Sequence, residues 1–299
     1  MTQAKSLPPA LCLVAAAALW GAATVLNKAL LSSVPPVSLL AMQLAASTFA
    51  LWLVIALRGN SWPSLSAAMP LALLGVLNPG ISYTLGLFGL AYVSASMTTL
   101  LWAAEPILIA VIAAVVLREP VSRQLALVIA SGLLGVVVVT DTLVGFGHSG
   151  NEAIGILLLL SAVVCCAFYS VFSRKLILSA DAIVTVAIQQ TAGLVWAVAL
   201  LLASTRFGTA LDLAVIPWHL IAASALAGLM YYALAYGLFI AALRHVPAGV
   251  AGGYFNLIPV FGIALAYAFL GERLGALQWA GATVIMISVL VIAHPLNWR

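Results

Sequence analysis

Charge is what this sequence has least of: eleven Lys and Arg and seven Asp and Glu among 299 residues, 6% in all. A soluble chain carries roughly a quarter charged residues, so the soluble globular classes are excluded. Polar interruptions are equally scarce. Leu7–Asn27, Val37–Leu57, Ala153–Ser173 and Ala182–Thr205 contain no charged residue. Each is close to the roughly 20 residues that carry a helix across about 30 Å of hydrocarbon. The strict polar–apolar alternation of a membrane barrel is missing, so the backbone must satisfy its polar groups within each segment, as helices. With 65% hydrophobic residues and a mean hydropathy of +1.24, the chain reads as an all-α polytopic membrane protein.

Other absences narrow the chemistry. The three cysteines, Cys12, Cys165 and Cys166, lie inside apolar runs, and no C-x-x-C or H-E-x-x-H spacing occurs. A disulfide framework, a metal site and a bound cofactor are therefore not expected. His148, His219, His245 and His294 fall at segment ends and form no constellation. No G-x-x-x-x-G-K-[ST] loop is present to drive work with ATP. No G-x-S-x-G with a partner histidine and no paired Asp on facing spans support an intramembrane enzyme.

What is present divides into ten apolar spans: 8–30, 36–57, 67–90, 94–117, 122–144, 152–175, 181–204, 215–242, 247–270 and 274–294. The first is too long, and lacks the small-residue cleavage site, for a removed signal peptide. With the N-terminus inside, the cytoplasmic side holds eight basic residues (Lys5, Arg58, Arg118, Arg123, Arg174, Lys175, Arg244, Arg299). The outer side holds three, Lys28, Arg206 and Arg273. That bias places both termini in the cytoplasm. The net charge of +4 reads as topology, because the basic residues are scattered and form no nucleic-acid patch.

The spans repeat. Leu90–Glu119 recurs as Leu243–Glu272 at an offset of 153, aligning Val93 with Val246, Pro106 with Pro259 and Glu119 with Glu272. Gly75 and Tyr83 match Gly228 and Tyr236 at the same offset, while Lys28 and Gln43 match Lys175 and Gln190 at 147. Two five-span halves, 1–146 and 147–299, follow. Five being odd, the second enters the membrane from the opposite side. Inverted repeats of this kind place a binding site where the halves meet.

Trp20-Gly21, Val93-Ser94-Ala95-Ser96, the mid-span Pro106 and Pro259, and the span-end Glu119 and Glu272 resemble the drug/metabolite transporter superfamily, with the two-repeat EamA-type permeases as the best fit. The resemblance covers nearly the whole chain. It implies ten transmembrane helices as two inverted five-helix repeats, and export of a small metabolite across the bacterial inner membrane. The aromatic residues carry it further, toward YddG-type exporters of aromatic and other amino acids. Purines, drugs and sugar phosphates are the other cargoes of such a fold. A membrane sensor or structural subunit is the remaining class, and it leaves the repeat unexplained.

Candidate substrate-binding residues are those too polar or too aromatic for their place in a span. Trp20, Tyr83, Trp102 and Tyr254 join a large apolar face to a polar tip. Glu105 is the single acid well inside a span, where an ionised carboxylate costs several kcal/mol. It anchors a substrate ammonium, carries a coupling proton, or sits neutral against Gln43 or Ser47. Asn78, which precedes a local break of the third span at Pro79-Gly80, and Asn256 can meet a substrate head group or join helices. Gln43 and Gln190 read as interhelical bridges. Pro106 and Pro259 remove helical N–H groups, freeing the carbonyls of Trp102 and Phe255, and are candidate gating or cavity-shaping positions. Lys28 and Lys175 read as snorkelling cations, and Glu119 and Glu272 as local partners of Arg118, Arg123 or Arg273. Trp52, Trp62, Trp218, Trp279 and Trp298 suit the interface. The expected partners are a small-molecule substrate and the lipid bilayer, without nucleic acid, in a monomer or weak oligomer.

Overall fold

The computed structural model describes residues 8–59, 65–116, 123–139, 150–177, 182–206, 216–243, 245 and 254–293. Every regular element among them is helical. Helix α1 spans Pro9–Leu30 and α2 Pro36–Arg58; each opens on a proline, whose missing N–H costs nothing in a first turn. The third span is α3 (Leu65–Gly75), a π-helical turn at Val76–Ile81 and α4 (Ser82–Tyr92). The fourth is α5 (Ala95–Trp102) and α6 (Glu105–Val116), and the fifth is α7 (Arg123–Val139). Then come α8 (Gly150–Ile177) and α9 (Ala182–Arg206). The eighth span is α10 (Trp218–Gly228), a second π-helical turn at Leu229–Leu234 and α11 (Ala235–Leu243). A 3₁₀ turn at Tyr254–Asn256 leads into α12 (Leu257–Leu270), and α13 (Ala276–Ala293) ends the described chain.

The packing is reciprocal. Helix α1 lies against α11 and α12, while α8 lies against α4 and α6. Helices α2 and α9 face each other at the centre, α2 also holding α10 and α9 also holding α3. Helices α7 and α13 pair at the side, and α5 crosses α12. Even the π turns correspond, since Val76–Ile81 shifted by 153 residues is Leu229–Leu234.

Among the described residues, six stretches are long and apolar enough to cross a membrane: Pro9–Leu30, Pro36–Arg58, Ala68–Tyr92, Gly150–Phe172, Ile183–Ser204 and Trp218–Phe239. Shorter apolar helical stretches among the described residues are Ala95–Ile109, Ala126–Val139, Leu257–Leu270 and Ala276–Ser288. The fourth expected span is broken by a turn at Ala103–Ala104. Positions 140–144 and 247–253, expected in the fifth and ninth spans, lie outside the described residues.

Phe49, Leu57, Leu127 and Phe269 are each at least 71% exposed. An apolar exterior of this kind is suited to lipid, where nothing drives these side chains inward. The interior holds the polar groups instead, among them Asn27, Gln43, Ser47, Asn78, Ser82, Gln189 and Gln190.

The two prolines stand at helix starts. Pro259 is the third residue of α12 and Pro106 the second of α6, both in first turns where an N–H has no helical partner anyway. Pro106 follows the turn at Ala103–Ala104 that breaks the fourth span. Further breaks are the π turns, the first of which contains Pro79.

Candidate functional site

Two glycines set how closely the halves approach. A Cβ on Gly75 would fall on the backbone of Gln189, and one on Gly228 on the backbone of Gln43. Helices α3 and α10 therefore lie directly against α9 and α2. Gly21 does the same for α1 and α12: its Cβ would stand 2.8 Å from the Gly262 nitrogen. The Trp20-Gly21 pair thus combines a close approach with an indole turned to the centre.

The π turns expose carbonyls that a regular helix would occupy, and side chains from other helices take them up. Trp20 Nε1 donates to the Tyr231 carbonyl at 3.1 Å. Gln190 Nε2 donates to the Tyr232 carbonyl at 2.8 Å, and its Oε1 accepts from Ser47 at 2.6 Å. Gln43 Nε2 donates to Asn27 Oδ1 at 2.6 Å. The two glutamines do bridge helices, as expected. In the first π turn Asn78 leaves helical geometry altogether, at φ −146° and ψ 115°, ahead of a cis peptide bond to Pro79.

Around these bonds stands a cluster of rings. Tyr83 stacks on Trp102 with centroids 5.6 Å apart, and meets Tyr231 and Tyr232 edge-on at 5.3 and 5.2 Å. Trp20 meets Tyr236 at 5.3 Å and Phe255 at 5.4 Å. Such pairs contribute about 0.5–1.5 kcal/mol beyond area burial. The hydroxyls of Tyr83 and Tyr236 are 3.1 Å apart. Beside the cluster lies a cavity of ≈ 20 Å³, room for one or two waters, lined by Asn78, Pro79, Tyr83, Tyr169, Val186, Gln189, Gln190, Tyr232 and Tyr236. No lining residue is charged.

Of the residues singled out from sequence, Asn78 and Tyr83 line the cavity, while Trp20 and Trp102 pack on the rings that do. Tyr254 does not join them: it packs with Cys12, Leu13, Leu238, Phe239 and Ala242, because the 3₁₀ turn directs it to the start of α1. The side chain of Asn256 lies outside the described residues. Glu105 is not held by Gln43 or Ser47, whose partners are given above. It accepts from Ser170 on α8 at 3.2 Å, with the Cys166 thiol also bonded to it. Trp52 was assigned to the interface, yet its indole donates to Thr191 at 2.9 Å. Trp218 and Trp279 are exposed, in keeping with that assignment.

Tyr169 and Gln189 also line the cavity and were not candidates, and Gln190, read only as a bridge, lines it too. The doubled amide at Gln189-Gln190 in an apolar run was their available signal. Tyr232 and Tyr236 were visible as aromatics, and Tyr236 as the repeat mate of Tyr83.

A second polar assembly closes one end. Glu272 was expected to pair with Arg273, but it crosses to the start of α5. There it accepts from the Ala95 and Ser96 amides at 2.8 and 2.9 Å and from the Ser96 hydroxyl at 2.7 Å. Ser94 Oγ takes the Met97 amide at 3.0 Å. The first three amides of α5 are thereby satisfied, with a carboxylate at the positive end of the helix dipole. Gly271, at φ +68°, turns the chain after α12 so that Glu272 faces back. Lys28 donates to the Leu90 and Ala91 carbonyls at the end of α4, at 2.9 and 3.3 Å, within electrostatic reach of Glu272. Arg273 lies over the Tyr267 ring at 5.7 Å. The corresponding Glu119 lies outside the described residues, as does the side chain of Lys175.

The family model of EamA-like transporters matches residues 7–141 and again residues 153–294. The uncharacterized transporter YvbV of Bacillus subtilis (strain 168) is 27% identical over 295 residues, covering 98% of this chain and 93% of that protein. The uncharacterized transporter YyaM of the same organism is 25% identical over 207 residues, 68% of this chain and 65% of that protein, just under two thirds of its length. A solved crystal structure superposes with a TM-score of 0.64 over 97% of both chains at 19% identity, a likeness of fold alone. With its apolar helices, buried polar interior and two matched segments, the chain belongs to the EamA-like transporter family and is a multi-pass membrane transporter.

Proposed function

We propose that this transporter exports small organic solutes, foremost amino acids including aromatic ones, by alternating access through the ring-walled cavity. Two inverted five-helix units, residues 1–146 and 147–299, rock about the α2–α9 contact and expose the cavity to each side in turn. The chain works in the bacterial inner membrane with both termini in the cytoplasm. The observation that carries this reading is the reciprocal packing. Helix α1 is held by α11 and α12 of the other half and α8 by α4 and α6, with π turns 153 residues apart beside the cavity. A cavity of ≈ 20 Å³ is too small for an amino acid, so a solute enters only on rearrangement.

Sugar phosphates fit poorly. No Lys or Arg among the described residues lines the cavity, and Lys28 is engaged by two carbonyls. A purine-like cargo is the second reading, favoured by tyrosine faces beside neutral amides.

The test is solute uptake by the purified chain in liposomes, with L-phenylalanine, L-leucine and adenine as labelled probes. Saturable flux of either amino acid supports the amino-acid reading. Flux of adenine alone moves the assignment to bases. No saturable flux of any probe removes both.

A further inference from the structure

Six buried side-chain polar atoms among the described residues lack a hydrogen-bond partner, and two of their residues line the cavity: Asn78 Oδ1 and Gln189 Nε2. Both residues are 3% exposed. The two atoms are of opposite kind, one acceptor and one donor. Each is also held in place. Asn78 sits on the extended residue that interrupts the helix, so its amide is outside the helical ladder. Gln189 is oriented by Tyr169, whose hydroxyl donates to Oε1 at 2.9 Å and leaves Nε2 unused. Its backbone is pinned against Gly75. The neighbouring polar groups are occupied, Gln190 by Ser47 and the Tyr232 carbonyl, Tyr83 and Tyr236 by each other.

An unmet donor and an unmet acceptor in a neutral, ring-walled space are unfavourable unless something else meets them. We infer that Asn78 and Gln189 are the polar recognition pair of the transport site. They select a net-neutral aromatic solute that presents a hydrogen-bond donor and an acceptor side by side. This rests on the transporter reading above and adds its specificity. The shared chemistry has two sources. In a zwitterionic aromatic amino acid the ammonium donates to Asn78 Oδ1 and the carboxylate accepts from Gln189 Nε2. In a heteroaromatic base a ring N–H and a carbonyl or ring nitrogen do the same. A solute with only a cationic or only an anionic head leaves one amide unmet and brings an unpaired charge into a cavity without counter-charge.

Equilibrium binding to the full chain in lipid nanodiscs tests the pair, with labelled L-phenylalanine and adenine. Phenethylamine and 3-phenylpropionate serve as single-headed competitors. One neutral probe is expected to bind, with the competitors at least about tenfold weaker. Asn78→Leu and Gln189→Met are each expected to weaken that probe about tenfold or more. Asn78→Leu removes an unpartnered polar atom, so its thermal midpoint should not fall. Asn78→Asp, which keeps the accepting oxygen, should retain binding of the amino acid if that is the source. Unchanged affinity in both Leu and Met variants overturns the pair, as does equal binding of the single-headed competitors. If neither neutral probe binds while the liposomes carry L-leucine, the pair is wrong and the transporter stands. If the liposomes carry nothing, the transport reading fails with it.

Discussion

The hydroxyls of Tyr83 and Tyr236 lie 3.1 Å apart, and the two residues are separated by 153 positions, the offset that superposes the halves of the sequence. A residue in contact with its own repeat mate marks the axis that exchanges the halves, as self-contacts do in a two-fold dimer. One bond thus joins the halves beside the cavity. Tyr83→Phe and Tyr236→Phe should each cost about 0.5–1.5 kcal/mol, and the double variant little more than either. Denaturation midpoints of the four proteins in detergent check this; additive losses would mean the hydroxyls act separately.

Gly75 and Gly228 permit contact between helix backbones. Gly75→Ala and Gly228→Ala place a methyl on the backbone of Gln189 or Gln43, and each should lower stability by about 1–3 kcal/mol while suppressing flux. Gly150 has nothing within 4 Å of its Cβ direction, so Gly150→Ala should leave both unchanged. Thermal midpoints and uptake of the three variants separate packing from a general intolerance of substitution.

The fold was legible where the sequence repeats itself. Span order, the buried glutamines and the central place of Tyr83 follow from charge-free runs and paired residues. The first π turn was legible as a local break at Pro79-Gly80, and the fourth span breaks just before Pro106; the second π turn was not legible. The π turn at Leu229–Leu234 contains neither proline nor glycine and is stabilised by Trp20 and Gln190 from other helices. Partners of polar side chains were hidden for the same reason. In a chain apolar on all sides, hydrophobic pattern does not set helix rotation. Glu105 therefore meets Ser170, and Glu272 meets α5 from 176 residues away.

Glu272 holds α5 by three bonds and joins the ends of α12 and α5. Glu272→Ala leaves the Ala95 and Ser96 amides without that acceptor, and should loosen this end by about 1–3 kcal/mol. Maleimide labelling of Ser96→Cys, with and without Glu272→Gln, reads the opening. Ser96→Cys itself removes one donor to Glu272, so the comparison is between the two backgrounds. Faster labelling with Glu272→Gln is expected; equal rates would mean the contact does not close this end.

Glu105 is bonded to Ser170 and does not line the cavity, so its role in a transport cycle is separable from binding. Glu105→Gln keeps an acceptor for Ser170 and cannot carry a proton. Uptake without a gradient should persist in this variant, and any stimulation by an imposed proton gradient should disappear. Stimulation that survives the substitution would take the proton role away from Glu105.

The most direct test is saturable counterflow of labelled L-phenylalanine in liposomes bearing the native chain or Gln189→Met. Alternating access through the cavity predicts counterflow by the native chain, and a KM about tenfold higher in the variant. Linear, unsaturable entry in the native chain, or an identical KM in both, would contradict it.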